Sequence, residues 1–393
     1  MIDTNAKVIY LDNAATSWPK PAVVSQAMGE FLAKDAANPG RAGHRMAMAA
    51  EKKLDQARGQ LTEFIGGTDA HRLIFTMNCT DALNIAFKGL LRAGDHVITT
   101  TLEHNSVSRP LQAMADTGFI SLTRVEFSPQ TGVIDPADVR RAIGSKTRLI
   151  ALSHAGNVLG TIQPATEVGS VAREHGVKFL LDTAQTIGVV SIDVVRQHID
   201  LLAFPGHKSL LGPTGTGGLY VHTTVAVTDL AAFREGGTGG DSSSPLQPRI
   251  FPYFLEGGTP NTVGVAGLAA ATQYVRGYGP DKILAHERQL VQQFVDSASG
   301  IDGVTIYGPT GSNAVANRVG TISFNVEGHS PHEIGGILDE AFSIAVRPGL
   351  HCSPYAHKQI GSFPDGTVRL SPGHFNTSDD IDALVAALRE ITA

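Results

Sequence analysis

From Arg72 onward the chain alternates short apolar runs rich in β-branched residues, "RLIF", "HVITT", "RLIALS", "VKFLLD" and "DLLAF", with stretches of helical period. Parallel strands cannot be joined by a tight hairpin and need a longer crossover, usually a helix. This alternation therefore points to βαβ units building a mostly parallel sheet, an α/β fold. Ligands of such sheets bind just outside the carboxyl ends of the strands, so the residues following each run are the first candidates for chemistry. After about Asn261 the pattern changes. A long helical segment runs from "TVGVAGLAAATQYVRGYG" into "DKILAHERQLVQQFVDSAS", followed by the strand-like runs "VGTISFNV" and "SIAVRPG" and a closing helix at "SDDIDALVAALREIT". That tail reads as a smaller α+β domain. The expected division is a large domain over 21–261 and a small one from 1–20 and 262–393, the latter carrying the loop "RPGLHC".

With 393 residues, 42% of them hydrophobic, the chain can bury more than one core. Its 31 basic and 37 acidic residues give a net charge of -6, with no Lys/Arg run to follow a phosphate backbone, so no nucleic acid is expected as partner. The start "MIDTNAKVIYLD" lacks a basic segment followed by an apolar run, and no long uncharged apolar stretch follows. A cytoplasmic protein with no membrane contact is expected. In a reducing compartment the two cysteines, Cys79 and Cys352, should be free thiols, and no metal site is expected.

Several run ends carry reactive groups. "RLIFTMNCTDALN" leaves a strand for a helix whose first turn offers Thr80 and backbone N–H groups, an arrangement suited to a phosphate and equally to ordinary capping. "VKFLLDTAQ" ends on Asp182, either a ligand-facing carboxylate or a cap. "DLLAFPGHKSLLGPTGTGG" ends on His207 and Lys208 and continues into a glycine-rich loop without Walker spacing. A lysine emerging from apolar surroundings can lose its proton and form a Schiff base. Lysine, carboxylate and helix N-terminus together are the groups pyridoxal 5'-phosphate requires, and His104, past another strand, would lie flat on its ring.

The stretches "YLDNAATS", "HNSV", "GNVLG", "DTAQ", "GHK", "EGGTPNT", "RPGLHC" and "RLSPGHFNT" resemble the class V aminotransferase family of fold-type-I pyridoxal phosphate enzymes. Within it they are similar to the cysteine desulfurase and selenocysteine lyase group. The resemblance implies a mostly parallel seven-stranded sheet in the large domain and a homodimer. By position it implies that Lys208 carries the cofactor as a Schiff base and moves the α-proton, that Asp182 pairs with the pyridine nitrogen, and that Gln185 bonds the phenolic oxygen. Thr80, His207 and, from a second subunit, Thr259 would hold the phosphate. Asn157 and Arg369, with Arg347 nearby, would hold the substrate carboxylate.

Cys352 falls at the family's sulfur-accepting position, five residues after Arg347. Read from its neighbours, it sits in a tight, exposed loop where Arg347 and His351 lower the thiol pKa. Cys79 reads as a spacer beside the phosphate. The implied reaction converts L-cysteine to alanine, leaving a persulfide on Cys352 for a sulfur-acceptor protein. The alternatives are selenocysteine lyase, a C–S β-lyase releasing pyruvate, and a non-catalytic scaffold. One departure from the family stands out: Pro205 occupies the place of a phosphate-binding serine, which predicts weaker cofactor retention.

Overall fold

A computed structural model describes residues 8–40, 43–238, 243–311 and 315–393. Residues 1–7 of the segment assigned to the small domain lie outside the described residues. The strands are β1 (Ile9–Tyr10), β2 (Leu73–Thr76), β3 (Asp95–Thr100), β4 (Ile120–Val125), β5 (Thr147–Ser153), β6 (Lys178–Asp182) and β7 (Leu201–Pro205). They continue with β8 (Gly217–Val221), β9 (Val304–Tyr307), β10 (Ile322–Val326), β11 (Ile344–Ala345), β12 (Arg347–Gly349) and β13 (Thr367–Leu370). The apolar runs of the sequence become β2, β3, β5, β6 and β7 of a seven-stranded sheet in the order β2-β8-β7-β6-β5-β3-β4.

In this sheet β8 is antiparallel to both its neighbours, while the pairings from β7 across to β4 are parallel. The central strands are covered on both faces. Phe179 and Leu181 of β6 join one apolar cluster and Leu180 the other, and Leu202 and Ala203 of β7 divide in the same way. Burial on both faces is why these strands read as unbroken apolar runs. The sequence reading missed two strands of this sheet. Edge strand β4 has neighbours on one side alone and keeps part-exposed polar residues. The glycines that made β8 look like a loop are required by packing: a Cβ on Gly218 would stand 2.4 Å from the Phe204 ring.

The predicted long helix is two helices. Thr262–Tyr278 packs on Ala22–Lys34 and Arg45–Phe64, against the large sheet's side of the molecule. Gly279, at φ 103, and Pro280 then break the helix, since a left-handed residue cannot continue it and proline opens the next. The helix Pro280–Ala298 enters a second core with Leu290, Phe294, Phe324, Leu370 and Leu384. The packing partners thus change at Gly279. A four-stranded antiparallel sheet, β12-β13-β10-β9, carries this core. The chain start joins the same part of the molecule: β1 lies parallel to β11 in a separate two-stranded sheet, and Asp12 bridges Ser371, just past β13. No helix among the described residues is long and apolar enough to cross a membrane.

Candidate active site

A cavity of about 210 Å³ opens at the carboxyl ends of β5, β6 and β7, where Asn157, Asp182, Gln185, His207 and Lys208 meet Thr80, His104 and Arg347. Asp182 ends β6 and is buried, with Oδ1 accepting the Ala184 N–H at 2.9 Å and the Cys79 thiol at 3.3 Å. Burial pushes its pKa up and these two donors pull it back. Lys208 has its pKa lowered to about 8, first by burial and then by Arg369, with Asp182 opposing. The turn holding it is strapped from the chain start: Ser17 donates to the Lys208 carbonyl at 2.9 Å, and Lys20 Nζ to the His207 carbonyl at 2.7 Å. Neither Ser17 nor Lys20 was singled out in the sequence, since their function is to hold backbone.

The N-terminus of the helix Cys79–Leu90 is capped by Asn78, whose side chain accepts the Asp81 N–H. Thr80 is therefore free of capping duty, and its hydroxyl meets that of Ser106 at 2.7 Å. Ser106 lines the same cavity and escaped notice inside "HNSV". His104 caps the next helix, Asn105–Asp116, with Nδ1 accepting the Ser106 N–H at 3.1 Å. That bond places the ring proton on Nε2, and burial with the nearby Lys208 lowers the pKa to about 3, so the ring is a neutral plate. The buried His207 Nδ1 has no partner among the described residues. Pro205 lines the cavity without a donor.

The donor set fits pyridoxal phosphate: a buried carboxylate, an amine, a neutral imidazole wall, two hydroxyls at a helix start and an unpartnered imidazole nitrogen. Thr259 is exposed and does not line this cavity. Arg369, 1% exposed, forms an ion pair with Asp12 at 2.6 Å and donates to the Asn157 carbonyl at 3.3 Å. Asp12, within "YLDNAATS", is a partner that spacing alone could not supply. Glu103, fully buried, takes bonds from Thr100 and Ser153 and has its pKa raised to about 7 by burial.

The cysteine loop is tight but mostly buried, not exposed as expected: His351 and Ser353 are covered and Cys352 is half-exposed. His351 and Cys352 are consecutive left-handed residues, at φ 50 and 58, a conformation costing roughly 1–3 kcal/mol each outside glycine. Its restraints come from distant segments. Asn157 Nδ2 donates to the His351 carbonyl at 2.6 Å and its Oδ1 accepts the Ser353 hydroxyl at 2.6 Å, while the Asn105 N–H meets the Cys352 carbonyl at 2.7 Å. His351 does not act as a cation on the thiol. Its Nε2 donates to the Arg347 carbonyl, its Nδ1 faces His357, and burial lowers its pKa to about 2. The charge beside the sulfur is Arg347, whose Nη2 lies 3.9 Å from Cys352 Sγ. Cys352 lines two outer grooves of about 700 and 730 Å³ that share Arg347, Thr80, His104 and Ser106 with the inner cavity.

This sheet order, with lysine, carboxylate and histidine converging at its carboxyl edge, is the fold of the fold-type-I pyridoxal phosphate enzymes. The chain belongs to the Aminotransferase class-V family, whose profile matches residues 9–384. It is 36% identical over 386 residues to a protein of Methanothermobacter thermautotrophicus described as "Probable cysteine desulfurase", covering 98% of this chain and 94% of that one. It is 33% identical to the cysteine desulfurase of Salmonella agona, over 97% and 93% of the two chains. The apo structure of a cysteine desulfurase from Thermococcus onnurineus superposes with a TM-score of 0.91 at 34% identity, covering 98% of this chain and 94% of that one.

Proposed function

We propose that this chain is a pyridoxal phosphate-dependent cysteine desulfurase that takes sulfur from L-cysteine onto Cys352 and releases alanine. The observation that carries the reading is the single opening in which Lys208, Asp182 and His104 meet Arg347, the residue against the Cys352 sulfur. Bound pyridoxal phosphate supplies an electron-withdrawing ring that stabilises charge on the substrate α-carbon. Asp182 would pair with its ring nitrogen, Gln185 with its phenolic oxygen, and His104 would cover one face. Thr80, Ser106, His207 and the amides of the Cys79–Leu90 helix would hold the phosphate. Thr259, exposed here, would join them from the second subunit of a homodimer.

Lys208 Nζ, with its lowered pKa, is suited to take the α-proton and return it to the product. The Arg369 guanidinium, oriented by Asp12, would bind the substrate carboxylate, with Asn157 placing the loop beside it. Cys352 Sγ would then attack the substrate sulfur. The new S–S bond forms as the C–S bond breaks, and no oxidant is consumed. The pairing of β1 with β11 supports a small domain that includes the chain start, which Ser17 and Lys20 tie to the Lys208 turn of the large domain, and a cytoplasmic location suits the free thiols.

The test is incubation of the cofactor-loaded protein with L-cysteine, followed by product analysis and mass spectrometry of the Cys352 peptide. Alanine with one extra sulfur on Cys352 supports the reading. Pyruvate with unmodified Cys352 replaces it with a C–S β-lyase.

A further inference from the structure

The space outside Cys352 is cationic. Its groove of about 700 Å³ lies between the helix Asn105–Asp116 and the loop after β12, where Arg109, Arg347 and Lys358 face one carboxylate, Asp365. Arg109 and Cys352 also line the adjoining groove of about 730 Å³. Lys358 is engaged with the Tyr355 and Phe363 rings. The two guanidiniums are not so engaged. Among the described residues Arg109 has no ion pair, hydrogen bond or ring contact, and Arg347 Nη2 has the Cys352 sulfur as its one neighbour of that kind. A guanidinium without a counter-ion in a concave site is a fork shaped for a carboxylate.

The loop makes a second point. Asn157 and Asn105 anchor the loop backbone through the His351 and Cys352 carbonyls, so Cys352 stays at the lining of both grooves and an acceptor must come to it. A concavity of this size suits a small molecule.

Resting on the reading of Cys352 as sulfur carrier, we propose that this groove admits a low-molecular-weight thiol bearing carboxylates, held by Arg109, which takes the sulfur from Cys352. The acceptor thiolate attacks the outer sulfur of the protonated Cys352 persulfide. A new S–S bond forms, the bond to Sγ breaks, Cys352 departs as thiolate, and the proton travels with the transferred sulfur. The electron count is unchanged overall.

The first arm of the test needs no turnover. Cys352 in the cofactor-loaded protein is alkylated with iodoacetate, an anion, or iodoacetamide, its neutral counterpart, and the rates are read by mass spectrometry. Arg109→Gln should slow iodoacetate about fivefold and leave iodoacetamide within about twofold, and high salt should mimic the substitution. In the second arm Cys352 is loaded from L-cysteine, and loss of its extra sulfur is followed with mercaptosuccinate or 2-mercaptoethanol, compared per thiolate. Wild type should favour mercaptosuccinate by about tenfold, and Arg109→Gln should abolish the preference without changing loading. Equal rates in wild type, or a preference that survives Arg109→Gln, overturn the proposed acceptor. Failure of Cys352 to load sinks the desulfurase reading itself. An iodoacetate-to-iodoacetamide ratio untouched by Arg109→Gln overturns the anion groove whatever the loading shows.

Discussion

Cys79 Sγ lies 3.3 Å from Asp182 Oδ1, joining two residues 103 positions apart at the floor of the cavity. The thiol is the donor, and burial with the neighbouring carboxylate pushes its pKa well up. Two consequences can be measured. Alkylation of the native protein near neutral pH should modify Cys352 and spare Cys79, because the thiolate is the reactive form. Replacing Cys79 with Ala removes a donor to the ionised Asp182, so the acid limb of kcat/KM should move to higher pH, and Cys79→Ser should restore it. An unmoved acid limb would show that the thiol merely fills space.

Lys208→Ala should abolish borohydride-reducible attachment of the cofactor and lower alanine formation by about 10³-fold or more, the scale of a lost positioned proton-transfer group. Peptide mapping after reduction checks the first point. Attachment found on Lys20, a half-buried amine bonded to this turn, would reassign the site.

Asn157→Ala should act on the cysteine loop more than on cofactor binding. It strips partners from the His351 carbonyl and the Ser353 hydroxyl, leaving two strained residues without their main restraint. Sulfur loading of Cys352 should fall at least about tenfold, equivalent to about 1.4 kcal/mol of lost positioning, while cofactor absorbance persists. Loss of cofactor in step with loading would assign Asn157 to the cofactor instead.

Stability should fall on both sides of neutrality, for opposite reasons. Burial raises the pKa of Glu287 to about 8 and of Glu103 to about 7, so the folded state keeps protons the unfolded chain has released. Stability from these groups is present below the ordinary carboxyl range and is lost as pH rises through about 8. His104, His154 and His357 have pKa values lowered by burial to about 3, 4 and 4, so the unfolded chain binds more protons below its ordinary histidine pKa. Their contribution is present above that pKa and lost as pH falls. Glu287→Gln should raise the melting midpoint at pH 8.5 and leave it nearly unchanged at pH 5. Equal effects at both values would place the carboxyl's cost outside titration.

Asp12→Asn isolates the Arg369 guanidinium, since their 2.6 Å pair is almost closed to solvent on the arginine side. Breaking a buried pair costs about 3–5 kcal/mol, so denaturant midpoint and cysteine KM should both worsen. A change in KM without loss of stability would mean that Arg369 finds another partner.

The apolar strands of the large sheet, and hence the location of a site at their carboxyl ends, were legible in the sequence because strands buried on both faces leave long apolar runs; their order in the sheet was not. Lys208, Asp182 and His104 were legible for the same reason: each lies at or just past such a run. β4 and β8 were not, one because an edge strand keeps polar residues and the other because close packing on Phe204 demanded glycine. The sequence also showed Cys352 directly after His351 and five residues after Arg347, yet misjudged what His351 does to it. Whether a histidine is a cation or a buried neutral link depends on what covers it, and His351 is covered by its own loop and His357.

Local residue pattern by itself determined the doubly buried strands and the chemical groups that follow them, because those depend on neighbours within a turn or two of chain. Tertiary structure alone decided that Cys79 bonds Asp182, that Asp12 holds Arg369, and that Asn157 fixes a loop 194 residues away. Such contacts form between segments brought together by burial of the two cores, and no spacing along the chain encodes which polar atoms then find themselves shut away from water with one another as partners.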